Sequence, residues 1–180
     1  MRHDRINLAR KWQGSGGYTL IEILIVVVIL GVLGAVVLPR FSDASNTTRE
    51  NTLKDDLRYA RTQIIVFKAQ HNDTAPGYPA GKTSASPTEQ DFLLQMMGTS
   101  DEFCNVYKST AARKLGPYFK KMPVNPLNGL STILIVPNGS SMPPAGLPDN
   151  STGWMYKPQT LELIPNSPGN DSEGTPYVEY

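Results

Sequence analysis

Few side chains in this sequence stand where their type could carry chemistry, and the foremost is Glu22. It is the single charge in residues 18–38, a run of 21 otherwise uncharged and mostly apolar residues. A carboxylate in hydrocarbon costs roughly 2.5–3.5 kcal/mol, so a glutamate there calls for a partner. Cys104 is the sole cysteine. It can close no intrachain disulfide, and with no histidine and acid arranged around it, it reads as a buried structural thiol. His71 has only His3 as a second histidine; it reads as a polar cap in a turn, with no catalytic role. Asp171 and Glu173 lie in an oxygen-rich stretch, residues 169–175, of the kind that hard cations need. No Ser/His/Asp, Cys/His or metal-ligand set converges, which argues against an enzyme.

The element that positions Glu22 is a helix. At about 1.5 Å per residue, residues 18–38 would extend roughly 31 Å, enough to cross a bilayer. Ahead of it stand Arg2, Arg5, Arg10 and Lys11 against Asp4, a basic flank that stays on the cytoplasmic side. A secretory leader carries its small-residue cut site after the apolar run. Here Gly14, Ser15, Gly16 and Gly17 come before it. A cut after Gly17 would leave the hydrophobic helix on the mature chain, with a free amine at Tyr18 close to Glu22. In a filament that amine could pair with Glu22 of a neighbouring copy and set axial register. The plainer alternative is a signal anchor that tolerates a glutamate near the interface.

Gly17 followed by Tyr18, Thr19, Leu20, Ile21 and Glu22, behind a basic leader, closely resembles the class III signal of type IV pilins and of the pseudopilins of type II secretion systems. The resemblance runs from Gly17 to about Gln70. It implies that a prepilin peptidase cuts after Gly17 and methylates the new amino terminus at Tyr18, where the family most often has Phe. It also implies an assembly role for Glu22, and for Pro39 a role in bending or loosening the helix as it leaves the membrane. The expected fold is α+β and pilin-like: a long amino-terminal spine helix, membrane-embedded in its first half, packed against a small antiparallel sheet with a helical and loop insertion. Many type IV pilins close a carboxy-terminal disulfide, which this chain cannot, so the likeness leans towards the major pseudopilin. Those pseudopilins hold calcium in a loop after their strands, which makes Asp171 and Glu173 the positions to test. Turn chemistry without metal is the stronger reading there, and no cofactor is required.

Beyond Pro39 the pattern turns amphipathic. Leu53, Leu57, Ala60, Ile64 and Phe67 step by four, three, four and three, one helical face suited to a core. Pro76 and Gly77 are read as breakers of that helix. The Gly77-Tyr78-Pro79 segment has a family-like look. Ser86, Pro87 and Glu89 suggest an N-cap, first turn and capping box for a short helix that buries Phe92, Leu93, Met96 and Met97. A second helical patch is expected over residues 107–115. Residues 118–129, with Pro126 and Asn128-Gly129, form a connector, and strands are expected at 131–136, 153–157 and 160–164, the last two as a hairpin. The chain thus divides into a leader (1–17), an assembly helix (18–38), the amphipathic half of the spine (39–72), a variable region (73–130) and a sheet with its terminal loop (131–180).

The 180 residues carry a net charge of +1. Without residues 1–17 the balance becomes −2, so no basic excess points to nucleic acid. The expected function is a pseudopilin: a structural filament subunit of a type II secretion apparatus. A type IV pilus subunit for adhesion, motility or DNA uptake is the alternative, and a signal-anchored periplasmic binding module or enzyme a further one. Expected partners are the prepilin peptidase, copies of itself, other pseudopilins or pilins, and an inner-membrane assembly platform. The expected setting is the bacterial inner membrane, amino terminus cytoplasmic and carboxy-terminal domain periplasmic, and then an extracytoplasmic filament.

Overall fold

A computed structural model describes residues 17–107 and 115–180, with the side chains of residues 36, 38–43 and 107 outside the description. Of the expected leader (1–17), residues 1–16 lie outside it, as does most of the helical patch expected at 107–115. The chain forms two compact units, Met1–Ser42 and Asp43–Tyr180. Helix α1 is assigned over Leu20–Gln70 and contributes to both. The assignment passes through Pro39, whose side chain is among those not described.

In the first unit the helix is apolar around its whole circumference. From Ile21 to Leu33 its large aliphatic side chains are each about half exposed. Among the described residues no helix is long and apolar enough to cross a membrane. The unbroken stretch of described side chains, residues 20–35, spans only about 24 Å at 1.5 Å per residue, short of a hydrocarbon core of about 30 Å.

The second unit is built on the rest of α1. Leu53, Leu57, Ala60, Ile64 and Phe67 are all buried, as their spacing predicts. The same rhythm continues at both ends: Glu50 three residues before Leu53 and His71 four after Phe67 are buried as well. His71 is therefore part of the core rather than an exposed cap. The helix stops before Pro76 and Gly77, because Asn72 and Asp73 take φ of 50° and 62°. Short polar side chains tolerate this left-handed turn, and the Asp73 N–H donates back to the Lys68 carbonyl at 3.1 Å.

Helix α2, Glu89–Met97, starts two residues later than Ser86 suggests. Its cap is Thr88, whose hydroxyl accepts from the Asp91 N–H at 3.0 Å. Glu89 is thereby released from capping and instead accepts the Ile133 N–H at 2.9 Å, tying the helix to a strand. Phe92 and Met96 are buried as expected, whereas Met97 is exposed and Gln95 takes an inward position. Its amide accepts from the Gly77 N–H and donates to the Tyr78 carbonyl, at 2.7 and 2.8 Å, clamping the turn after α1.

Two short strands, β1 (Thr99–Ser100) and β2 (Val106–Tyr107), pair antiparallel. Tyr107 is thus strand, where a helix was expected to begin. The main sheet has order β3-β4-β5, from Ile133–Ile135, Trp154–Lys157 and Glu162–Pro165. The β4-β5 hairpin is antiparallel, as read from the sequence. However, β3 runs parallel to β4, so the sheet is mixed rather than antiparallel. The long, proline-rich connection across residues 136–153 is what permits it, since a parallel pair needs a crossover of a dozen or more residues.

That crossover also gives the sheet a second covered face. Trp154 and Tyr156 face the α1 core, while Met155 packs with Val136 and Ile164 beneath Met142, Leu147 and Val178. All three β4 side chains are consequently buried. Gly153 leads into β4 where a Cβ would lie 2.2 Å from the Leu130 carbonyl oxygen, so only glycine fits.

Candidate functional site: the start of the first helix

Residues 17–19 are non-helical, and α1 begins at Leu20. The Glu22 carboxylate folds back on Thr19, accepting from its N–H and its hydroxyl at 2.8 Å each, while the Thr19 hydroxyl accepts from the Glu22 N–H at 3.3 Å. This is a capping box: two donors orphaned at a helix start are satisfied by side chains three residues apart. In the single chain, then, Glu22 is partnered locally.

Gly17 differs from the structural glycines. Nothing among the described residues lies within 4 Å of where its Cβ would be, and its φ is not in the left-handed range. The fold itself sets no demand for glycine at this position. The start of α1 is also thoroughly accessible, with Tyr18 and Leu20 each 85% exposed.

Asp171 and Glu173 occupy the terminal loop, where they play different parts. Asp171 Oδ1 accepts from the Glu173 and Thr175 N–H groups, and Oδ2 from the Tyr180 hydroxyl at 2.7 Å. Lys54 lies 3.5 Å from Oδ2. The Tyr180 hydroxyl first, then the backbone donors and Lys54, hold the Asp171 carboxyl below its ordinary range. Glu173 contributes its backbone, and its side chain is exposed. Among the described residues no group of three or more His, Cys, Asp or Glu is arranged to hold a metal ion. The carboxylate that reaches the loop from α1 is Glu50, which accepts from the Ser172 N–H and hydroxyl at 3.1 and 3.0 Å. Glu50 was missed in the sequence, although continuing the 53-57-60-64-67 rhythm backwards by three residues points to it.

His71 was likewise missed as a core residue, and the same rhythm continued forwards would have found it. Its ring stacks on Phe67 with centroids 3.7 Å apart. Nδ1 donates to the Phe67 carbonyl at 2.7 Å, which leaves Nε2 to accept from the Ser100 hydroxyl at 2.8 Å. This bonding suits the neutral ring, and burial lowers the His71 pKa below its usual 6.5. The unfolded chain therefore binds more protons between about 6.5 and the lower folded value. Stability is expected to be full above about pH 6.5 and to fall as pH drops through that window. Denaturant midpoints of the detergent-solubilised chain from pH 8 to 5 check this, in a range above the titration of ordinary carboxylates. A flat profile would contradict it.

Cys104 is buried with φ of 62°, and its thiol is pushed up to about 11, chiefly by burial. Such a thiol is protonated and unreactive at neutral pH.

Helix α1 thus opens on an exposed apolar surface with a locally capped glutamate, three residues after a glycine that the described fold does not require. Residues 12–38 match the prokaryotic N-terminal methylation motif. Through this motif and the relative that follows, the chain is similar to type IV pilin-like proteins. Over 113 residues it is 28% identical to the type II secretion system core protein G of Pseudomonas aeruginosa, an overlap covering 58% of this chain and 79% of that protein. No solved structure matches the chain.

Proposed function

We propose that this protein is a pseudopilin: a filament subunit of a type II secretion apparatus, cut after Gly17, methylated on Tyr18 and polymerised through residues 18–38. The observation that carries the reading is the joint placement of the methylation motif and the exposed apolar start of α1. A glycine with no role in packing is explained if a peptidase reads it. An apolar helix surface this large is explained if it is covered first by a bilayer and then by other copies. Likeness to core protein G favours a secretion filament over a pilus. In this reading the second unit faces the periplasm, with the prepilin peptidase and an inner-membrane platform as partners. Pro39 loosens the helix between its apolar and amphipathic halves. The terminal loop acts as a strap: Glu50, Lys54 and Tyr180 already satisfy it, so calcium at Asp171 and Glu173 is not needed to hold it.

Intact mass with amino-terminal fragmentation of the chain recovered from its native membrane tests the proposal. The expected result is a start at Tyr18 carrying one extra methyl group, and a Gly17→Trp variant that stays full length. A wild-type chain that begins at Met1 would reject processing and make the segment a plain anchor.

A further inference from the structure

The carboxy-terminal unit carries an apolar knob and a cationic groove that cannot meet within one chain. The knob is Phe103, 61% exposed at the tip of the β1-β2 connection. It is firmly presented. Asp101 Oδ1 accepts from the Phe103 and Asn105 N–H groups at 3.0 and 2.9 Å, and the Asn72 amide donates to the Glu102 carbonyl at 3.0 Å, fixing the tip just beyond the end of α1. Beside the ring stands the exposed Glu102 carboxylate.

The groove, about 420 Å³, lies farther back along α1 and is lined by Lys54, Leu57, Arg58, Arg61, Ile65 and Tyr180 among others. Its floor is apolar, and Ile65 is 58% exposed. Its rim is positive. Arg61 is committed to the Leu163 carbonyl at 2.7 Å and to Tyr180, while Arg58 makes an exposed pair with Asp55 at 3.7 Å. Such an exposed pair is weak and easily exchanged. Counted along α1, the groove's centre near Arg61 and the knob beyond Gln70 are separated by roughly 15 Å.

We infer that the groove receives Phe103 of a second copy of this chain, with Glu102 of that copy meeting Arg58. The two surfaces complement each other in both respects: an aromatic ring for an apolar floor, an acid for a basic rim. Because they are different patches at different heights, the contact is heterologous and leaves a free knob and a free groove at the two ends, so it propagates instead of closing. It rests on the filament reading and gives it a specific lateral contact between the carboxy-terminal units.

The test is disulfide cross-linking of the full-length chain in its own membrane. Cys104 stays in place, since its buried thiol is inert, and the unsubstituted chain is the control. A Thr62→Cys, Asn105→Cys double variant, which keeps Phe103, Ile65, Arg58 and Glu102 in place, is expected to give a ladder of dimers, trimers and longer species under mild oxidation. Adding Arg58→Glu should cut the ladder about fivefold, and adding Glu102→Arg to that variant should restore it. Monomers alone, from cells whose sheared filaments still sediment, would overturn this contact and leave the filament reading standing. A product that stops at dimer would replace it with a closed pairing. A full ladder without sedimenting filaments would support the contact and reject the filament reading; neither ladder nor filaments would reject both.

Discussion

Replacing Glu22 by Ala is expected to leave cleavage after Gly17 intact and to stop ordered assembly. In the proposed filament the Tyr18 amine sits among apolar helices, and removing its acidic partner strands a buried charge at a cost of roughly 3–5 kcal/mol. Per subunit added, that is a weakening of about 150- to 4000-fold. The structure sharpens the experiment, because Glu22 also closes a capping box with Thr19. Losing a cap costs only about 1 kcal/mol, and glutamine can stand in for glutamate in such a box. Glu22→Gln therefore separates the two roles. It should assemble as poorly as Glu22→Ala if the charge matters, and nearly normally if capping is the purpose. Thr19→Ala, which removes the cap's other half and keeps the carboxylate, should still assemble. Sedimentation of sheared filaments, with the cleaved mass as a control for processing, reads all three.

Phe67→Ala is expected to destabilise the carboxy-terminal unit by about 3–5 kcal/mol. Phe67 is fully buried, stacks on His71 and meets the Tyr118 ring edge-on at 5.3 Å. Its loss leaves a cavity bounded by rigid rings, which collapse poorly. It also loosens the imidazole that joins the end of α1 to Ser100. Against a typical domain stability of 5–15 kcal/mol this is a large share. Denaturant midpoints compared at pH 8, where His71 is neutral in both states, measure it without a protonation contribution. A loss below about 1 kcal/mol would mean that the core is not centred on this ring.

Much of the amino-terminal region was legible because its signals are local and one-dimensional. An apolar run, a glutamate at a set distance from a glycine and a basic flank need no folding to be recognised. The 53-57-60-64-67 stripe was legible for the same reason, since 3.6-residue periodicity is a property of the chain. What the periodicity could not reveal was where it would stop. Glu50 and His71 lie on the same face but are polar, and only the donors that fold against them, Ser172 and Ser100, make their burial tolerable.

The carboxy-terminal half was less legible, because its decisive partners are distant in sequence. Glu89, read as part of a capping box, instead accepts from Ile133, 44 residues away, while Thr88 takes the cap. That β3 runs parallel to β4 depends on the path of a long crossover, which the alternation of short strands does not encode. For the loop of Asp171 and Glu173 the sequence favoured turn chemistry over a calcium ion, but it could not name the groups that hold the turn. In the fold, Tyr180 and Lys54 reach Asp171, Glu50 takes Ser172, and Glu173 is left to solvent.

The sequence by itself was enough to point to a pilin-like subunit, because the motif, the apolar run and the glutamate all lie in one contiguous stretch of chain. Only the tertiary structure decided how the second unit is closed and which surfaces it leaves open, because buried polar groups are satisfied, and knobs and grooves formed, by residues that meet only when the chain has folded.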